Sequence, residues 1–276
     1  MAREARRYSL LELAGAAAVA AAAALAATGY WSRGDEQVIA RKGDQTPPQV
    51  VDEQVRRERF ERIYERGDWG KDAKGKGVSG PGSTLAATRQ YRAFLQDFLA
   101  ANRIRSVVDA GCGDWEFSQK INWKGIDYLG LDIVPAVVEA NRRRFGSANV
   151  RFAVADIVRG DLPPADLLIV KDVLQHLSNA DIALVLKKLQ GYRHVLIVND
   201  VRPDTLTAEP TDIATGGYRL LDVTRPPYSV PGMKVLTWRA ADVTKLLVHV
   251  VGDHESTGSS SAGGQLPRST TTTRGK

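Results

Sequence analysis

The stretch Val107-Val-Asp-Ala-Gly-Cys-Gly-Asp114 decides the fold of this chain. Its β-branched residues, followed by an acid-small-Gly-x-Gly pattern, are typical of a buried parallel strand that turns tightly into a helix. Gly111 and Gly113 lack a Cβ, so the backbone there can turn sharply and approach a ligand closely. Asp132 ends a second apolar stretch about 20 residues further on, the spacing expected between such a turn and an acid that binds ribose hydroxyls. The sequence therefore predicts a ribose-binding site where two parallel strands end.

The turn departs from the pattern that binds dinucleotides. That pattern requires a third glycine three residues after the second, but Glu116 occupies this position and would repel a pyrophosphate. An acid such as Asp109, two residues before the first glycine, is also foreign to it. Both departures favour a ligand that has an amino-acid group in place of phosphates. S-adenosyl-L-methionine is such a ligand, since it combines a sulfonium, an ammonium, a carboxylate, a ribose and an adenine.

Four segments in order make the chain resemble the class I S-adenosylmethionine-dependent methyltransferases, over roughly residues 80–200. They are Asp109-Ala-Gly-Cys-Gly-Asp, Leu129-Gly-Leu-Asp-Ile, Phe152-Ala-Val-Ala-Asp-Ile and Ala165-Asp-Leu-Leu-Ile-Val-Lys-Asp-Val-Leu-Gln-His-Leu. The order and spacing are more specific than any one motif. Trp115 is a departure, because many members of the family have a third glycine there.

The resemblance implies a set of site residues. The turn would hold the methionine part of the cofactor, Asp132 the ribose, and Asp156 the adenine amino group. The segment after the fourth strand would lie beside the transferred methyl group, where Asp172 and His176 are the candidate catalytic residues. The residues expected to bind the cofactor are Asp109, Gly111, Cys112, Gly113, Asp132, Ile133, Asp156, Ile157 and Lys171.

Alternating strand and helix patterns predict a Rossmann-like α/β fold: a doubly wound, mostly parallel sheet with an antiparallel C-terminal edge strand. Ser178 and Asp181 form a predicted capping box. Predicted helices cover 51–66, 85–99, 135–145 and 182–190, and predicted strands cover 107–110, 128–131, 150–155, 167–170, 194–198, 234–238 and 246–250.

The amino-acid composition limits the classes of function that the chain can have. The chain has 276 residues, of which 43% are hydrophobic and 25% charged, which is typical of a globular protein. A single cysteine, Cys112, excludes an intrachain disulfide and a cysteine-built zinc site. No metal site is predicted. The net charge of +6 is spread among short basic groups mixed with acids, so a nucleic-acid partner is not expected.

Residues 1–33 are predicted to form a hydrophobic helix, because an alanine-rich apolar run from Tyr8 to Trp31 follows three arginines. A membrane anchor, a cleaved signal and a soluble helix all fit this pattern. Arginine and lysine counts on the two sides are equal and leave the orientation open. Because the expected cofactor is cytosolic, the prediction is a single-pass anchor with a cytoplasmic catalytic domain, with export as the alternative.

The remaining boundaries follow from composition. Residues 34–50 read as a linker, 51–252 as the methyltransferase domain, and 253–276 as a disordered tail rich in serine, threonine and glycine. Within the domain, 51–101 would form N-terminal helices and a lid containing Trp69, and 105–252 the sheet core.

The sequence thus predicts methyl transfer to an oxygen or nitrogen of a small-molecule or lipid-linked acceptor. Two alternatives remain: an inactive methyltransferase-like scaffold, and an NAD-dependent oxidoreductase, which the missing third glycine disfavours. The sequence does not predict the oligomeric state.

Overall fold

The computed structural model describes residues 51–202, 211–240 and 242–252. The predicted anchor, linker and tail lie outside these residues. Within the described part of the chain, no helix is long and apolar enough to cross a membrane.

Four helices and seven strands form the described fold. In chain order they are α1 (Glu53–Arg66), α2 (Arg89–Ala101), β1 (Ser106–Ala110), β2 (Asp127–Asp132), α3 (Pro135–Phe145), β3 (Val150–Val154), β4 (Leu167–Lys171), α4 (Asn179–Leu186), β5 (His194–Val201), β6 (Met233–Ala240) and β7 (Val243–Val251).

The strands form one mixed sheet in the order β3-β2-β1-β4-β5-β7-β6. Strands β1 to β5 are parallel, and β7 runs antiparallel to both β5 and β6. The central strand β4 is buried along its whole length, as expected for a parallel strand covered on both faces. The predicted doubly wound α/β fold is therefore confirmed for the described residues.

The C-terminal strand does not lie at the edge of the sheet, which corrects the prediction. Strand β7 is inserted between β5 and β6, and its residues 245–250 are all buried. Strand β6 forms the edge instead, and most of its side chains are exposed or half-buried. The largely apolar stretch Leu246–Val250, which includes His249, explains this position, since it can be buried on both faces only between two other strands.

Two of the helices begin and end at positions other than those predicted. Helix α2 begins at Arg89, because Thr84–Thr88 form turns in which Thr88 N donates to Thr84 O (3.1 Å). Helix α4 ends at Leu186. Ser178 caps α4 by accepting from Asp181 N (3.2 Å), as predicted. The prediction of a full capping box is wrong, because the Asp181 side chain does not return a hydrogen bond to the backbone of Ser178. It binds Arg56 and Thr215 instead.

Helices pack on both faces of the sheet. Residues of α1 and α4, among them Phe60, Ile63, Ile182 and Val185, belong to one apolar cluster. Tyr91, Leu95 and Phe98 of α2 belong to a second cluster with Trp115 and Trp123. In sheets covered by helices on both faces, ligands bind at the edge formed by the carboxyl ends of the parallel strands.

Candidate active site

The glycine turn follows β1 at the carboxyl edge of the sheet. Gly111 and Gly113 have positive φ angles of 87° and 56°, which favour glycine. The turn is held by Gly111 N and Cys112 N, which both donate to Leu131 O (2.8 and 2.9 Å). A Cβ at Gly111 would collide with Val173, and one at Gly113 would collide with Ser79. The turn is therefore closely packed, and its shape depends on both glycines.

Trp115 adopts the left-handed backbone that a glycine would favour at this position, with φ of 60°. Its ring is buried among Tyr128, Phe145 and Phe152, with centroid distances of 5.0 to 5.6 Å. Aromatic burial of this kind offsets the backbone strain, which is of order 1 to 3 kcal/mol. Trp115 is thus a core residue and does not face the turn's ligand side.

Asp132 ends β2 beside the turn. Its Oδ2 accepts from Gly113 N (3.0 Å) and its Oδ1 from Val134 N (3.0 Å). Burial raises the pKa of this carboxyl to about 6, although the two backbone donors oppose the shift. Each oxygen keeps a further lone pair, so Asp132 has the acceptor capacity that two ribose hydroxyls require. Ile133, the next residue, is half-buried against the core.

Asp109 and Cys112 lie behind the turn. Asp109 Oδ2 accepts from the Tyr128 hydroxyl (2.6 Å), and burial raises its pKa to about 6. The Cys112 thiol packs in the core, where it lies close to Gly130. Burial raises the pKa of this thiol, so it stays protonated. Both side chains are buried and support the turn from behind, and their roles in cofactor binding stay predictions.

Asp156 forms an ion pair with Arg56, a residue that sequence analysis did not single out. The Arg56 guanidinium of α1 donates to both of its oxygens (3.1 to 3.2 Å) and to Asp181 Oδ2 (2.6 Å). Val158 N donates to Oδ1 as well (2.9 Å). Three N–H groups thus donate to the two oxygens of the carboxylate, with Arg56 Nε shared between them, and the role of Asp156 in adenine binding stays a prediction. The next residue, Ile157, is buried in the core.

Asp172, predicted to be catalytic, lies between two buried lysines. Its Oδ2 is 2.6 Å from Lys171 Nζ and its Oδ1 is 2.8 Å from Lys245 Nζ. Burial alone would raise the pKa of Asp172, but the two ammonium groups overcome this effect and lower it. A carboxylate held charged by two cations is a poor general base. The structure places Asp172 in an ion-pair network, and its catalytic role stays a prediction.

Lys171 belongs to the same network. Its Nζ donates to Gly82 O (3.2 Å) and to Asp172, and it lies 4.9 Å from the centre of the Phe117 ring. Lys245 also binds Asp200 Oδ1 (2.6 Å), and the Tyr218 hydroxyl donates to Asp200 Oδ2 (3.0 Å). The network thus links β4, β5 and β7. The Lys171 ammonium, which was predicted to bind the cofactor, is already paired within it.

His176, the other predicted catalytic residue, has a ring nitrogen that can accept a proton. Because a carbonyl oxygen can only accept, the 2.8 Å contact between Nδ1 and Gly217 O places the proton on Nδ1. Nε2 is then the nitrogen with a free lone pair. Burial lowers the pKa of His176, so the neutral form predominates at neutral pH. The ring lies between Trp69 and Tyr218, at centroid distances of 4.9 and 5.9 Å.

The predicted lid packs against the glycine turn. Ser79 Oγ accepts from Asp114 N (2.7 Å), and Ser79 N donates to Asp114 Oδ2 (2.9 Å). The Tyr64 and Ser79 hydroxyls lie 2.8 Å apart. Trp69 packs edge-on against Tyr64 (5.5 Å) as well as against His176. The segment after α1 thus reaches both the turn and the candidate base.

Arg56 and Lys245 are the site residues that sequence reasoning missed. Arg56 is one of several arginines in an amphipathic helix, and nothing in the local sequence distinguishes it from the neighbouring, half-buried Arg57. Lys245 did carry a signal, because it is a lone cation beside the largely apolar stretch Leu246–Val250. A charge in such a stretch predicts a buried ion pair.

The arrangement fits S-adenosylmethionine in part. Asp132 has the acceptor capacity for ribose, and the turn offers backbone rather than bulky side chains. The side chains of Asp156 and Lys171 already have charged partners, so they do not offer unpaired polar groups to the cofactor. The residues that fit the cofactor are therefore Gly111, Gly113 and Asp132, with Ile133 as an apolar neighbour.

Comparison with known proteins shows a similarity to methyltransferases over part of the chain. Residues 107–192 match the family model for a methyltransferase domain. Magnesium-protoporphyrin O-methyltransferase from Rhodobacter capsulatus is 30% identical over 102 residues, which are 36% of this chain and 46% of that protein. This chain thus spans about half the length of the curated relative that it matches.

A solved structure shows the same fold. The 1,6-didemethyltoxoflavin-N1-methyltransferase of Burkholderia thailandensis, with 1,6-didemethyltoxoflavin and S-adenosylhomocysteine bound, is 17% identical with a TM-score of 0.52. The match covers 75% of this chain and 93% of that one. At 17% identity, this similarity is evidence for a shared fold and for nothing more specific.

These matches agree with the predicted resemblance to the class I, S-adenosylmethionine-dependent methyltransferases over residues 107–192. The matches are consistent with the predicted enzyme class and with its cofactor, S-adenosyl-L-methionine.

Proposed function

We propose that this protein transfers a methyl group from S-adenosyl-L-methionine to an oxygen or nitrogen of a small-molecule or lipid-linked acceptor. One observation carries the proposal. The glycine turn, Asp132 and His176 follow β1, β2 and β4, three neighbouring parallel strands, at the same edge of the sheet. The proposed ribose acceptor and the proposed base thus follow the two strands that flank β1 and its glycine turn.

When bound, the cofactor supplies a methyl group activated by its sulfonium. Asp132 would hold the ribose through its two oxygens, and the Gly111–Gly113 turn would lie against the methionine part. The protein's remaining tasks are to align the acceptor and exclude water. Trp69 and Tyr218 serve the second task, since their rings flank His176.

His176 would take the proton of the acceptor. The acceptor oxygen or nitrogen forms the new bond to the methyl carbon while the carbon–sulfur bond breaks, and S-adenosylhomocysteine leaves. The acceptor's proton passes to Nε2, which the Gly217 carbonyl keeps unprotonated by holding the proton on Nδ1. Because its pKa is lowered, His176 is available as a base at neutral pH.

The comparisons support a small acceptor without identifying it. The Rhodobacter capsulatus relative is named for O-methylation of magnesium protoporphyrin, and this favours oxygen as the methylated atom. The aromatic rings of Trp69 and Tyr218 favour a planar acceptor. Anchoring through residues 1–33, and a cytoplasmic or exported location, remain predictions.

Thermal unfolding of the full chain tests the cofactor. S-adenosylmethionine or S-adenosylhomocysteine at 100 times its dissociation constant should stabilise the fold by about 2.7 kcal/mol, which raises Tm by roughly 5 to 11 °C for a domain of this size. NAD should produce no shift. A shift with NAD alone, or no shift with any of the three, would overturn the proposal.

A further inference from the structure

A second cleft lies between the start of α2 and the edge strand β6. Its volume of about 450 Å³ is in the range of small-molecule sites. None of the proposed catalytic or cofactor-binding residues lines it. The polar groups that line it are Arg89, Gln90, Thr237, Arg239 and Thr244.

The charge of this cleft is entirely positive. Arg89 and Arg239 are both exposed, and no acidic residue lines the cleft. In the described part of the chain, neither guanidinium has a hydrogen-bond or ion-pair partner. Elsewhere on the surface arginines pair with nearby acids, as Arg151 does with Asp127 (2.8 Å). Two unpaired guanidinium groups therefore flank one concave space.

The wall of the cleft is fixed. Trp238 Nε1 donates to Ala87 O (2.8 Å), and the Trp238 ring stacks on Tyr91 at 5.9 Å. These contacts join the turn before α2 to strand β6. The arginines thus extend from elements whose separation is set by buried packing, so the cleft is formed before any ligand arrives.

We propose that this cleft binds a small molecule through a phosphate or carboxylate group. Guanidinium groups bind such oxyanions in a bidentate manner, and the hydroxyls of Thr237 and Thr244 supply additional donors. In the sheet, Trp238 pairs with Lys245, which in turn pairs with Asp200. The cleft therefore opens at the same edge as the candidate active site. The inference rests on the cleft itself and is independent of methyl transfer.

Calorimetric titration of the full chain with inorganic phosphate, at constant ionic strength, tests the site. We expect saturable binding that weakens at least 10-fold when Arg89→Ala and Arg239→Ala are combined. Arg159→Ala is the matched control, because Arg159 is equally exposed and lies outside the cleft; it should change the affinity less than 2-fold. Both cleft arginines are exposed, so the double variant should keep the wild-type Tm.

Phosphatidylglycerol vesicles added as a competitor identify the source of the phosphate. Displacement of inorganic phosphate by vesicles indicates a lipid headgroup, and retention indicates a soluble ligand; either result supports the site. Absence of saturable binding, or an equal loss in the Arg159→Ala variant, would show that the cleft attracts anions only by general charge and would overturn the proposal.

Discussion

In the candidate cofactor site, the carboxylate of Asp132 connects the glycine turn to the start of α3. It fixes the glycine turn by accepting from Gly113 N and fixes the start of α3 by accepting from Val134 N. Burial makes its negative charge costly and raises its pKa to about 6. Hydroxyl donors from a bound ribose would compensate for this cost. In the proposed function, the same carboxylate that shapes the turn also recognises the ligand.

Replacement of Asp132 should abolish cofactor binding. Hydrogen bonds to a charged group contribute about 1.5 to 3 kcal/mol each, so Asp132→Ala should raise the dissociation constant of S-adenosylhomocysteine at least ~100-fold. The control is Asp127→Ala, at the opposite end of β2, where the acid is exposed and pairs with Arg151. Calorimetry measures both affinities. Retained affinity in the Asp132 variant, with a normal melting curve, would rule out the ribose assignment.

The pH dependence follows from the same carboxyl group. Its ionised form accepts the hydroxyls, so affinity should be full above about pH 6 and should fall as the pH drops through that value.

His176 should control a separate pH dependence. Single-turnover methyl transfer, measured on protein already loaded with cofactor, should slow as the pH falls through a pKa below the usual value of about 6.5. His176→Ala should remove this dependence and lower the rate about 10²- to 10⁴-fold. An unchanged pH profile in the variant would show that His176 is not the base.

At the scale of elements, Arg56 determines how α1 is attached to the fold. Its side chain is 1% exposed and binds the buried acids Asp156 and Asp181, which lie after β3 and within α4. This contact also explains why the lid segment, which begins where α1 ends, reaches the glycine turn. A buried guanidinium between two carboxylates is stable only while all three groups are present.

Arg56→Ala should therefore reduce the free energy of unfolding by about 3 to 5 kcal/mol, because it leaves two carboxylates buried without a countercharge. Arg57→Ala is the control: Arg57 is the next residue, is half-buried and forms a surface pair with Glu53 (2.7 Å), so its loss should cost about 0.3 to 0.5 kcal/mol. Urea denaturation measures both. Equal costs in the two variants would contradict the assigned role, and Arg56→Lys provides an intermediate variant if the alanine variant does not fold.

The elements themselves were largely predictable, since they depend on local patterns. Pro135–Phe145 begins with proline at its first turn and matches the predicted bounds. The start of α2 was less predictable, because Leu85 and its neighbours have helical periodicity, yet Trp238, more than 140 residues away in the chain, holds the Ala87 carbonyl. A tertiary hydrogen bond thus overrides the local pattern.

At the scale of the whole molecule, the position of β7 completes the sheet. It separates β5 from the edge strand and brings Lys245 next to Asp200. Without this insertion, Asp172 and Asp200 would be buried acids without a shared cation. The sheet order therefore produces the ion-pair network that surrounds the ends of β4 and β5.

Hydrogen exchange can test this order. Because β7 is paired on both sides, its amides from Val243 to Val251 should exchange as slowly as those of β5. In β6, which is paired on one side only, the amides that point away from β7 should exchange much faster. Mass spectrometry or NMR of the full chain measures both strands. Rapid exchange throughout β7 would place it at the edge and contradict the sheet order.

The sequence by itself determined the features that depend on neighbours along the chain. The glycine turn, the run of parallel strands, the acid at the end of β2 and the Ser178 cap all follow from residue type and spacing. Only the tertiary structure decided which charges are neutralised: Arg56 meets Asp156 and Asp181 across 100 and 125 residues, and Lys245 meets Asp172. The physical reason is that the role of a buried ionisable group depends on its partner, and the fold alone brings these partners together.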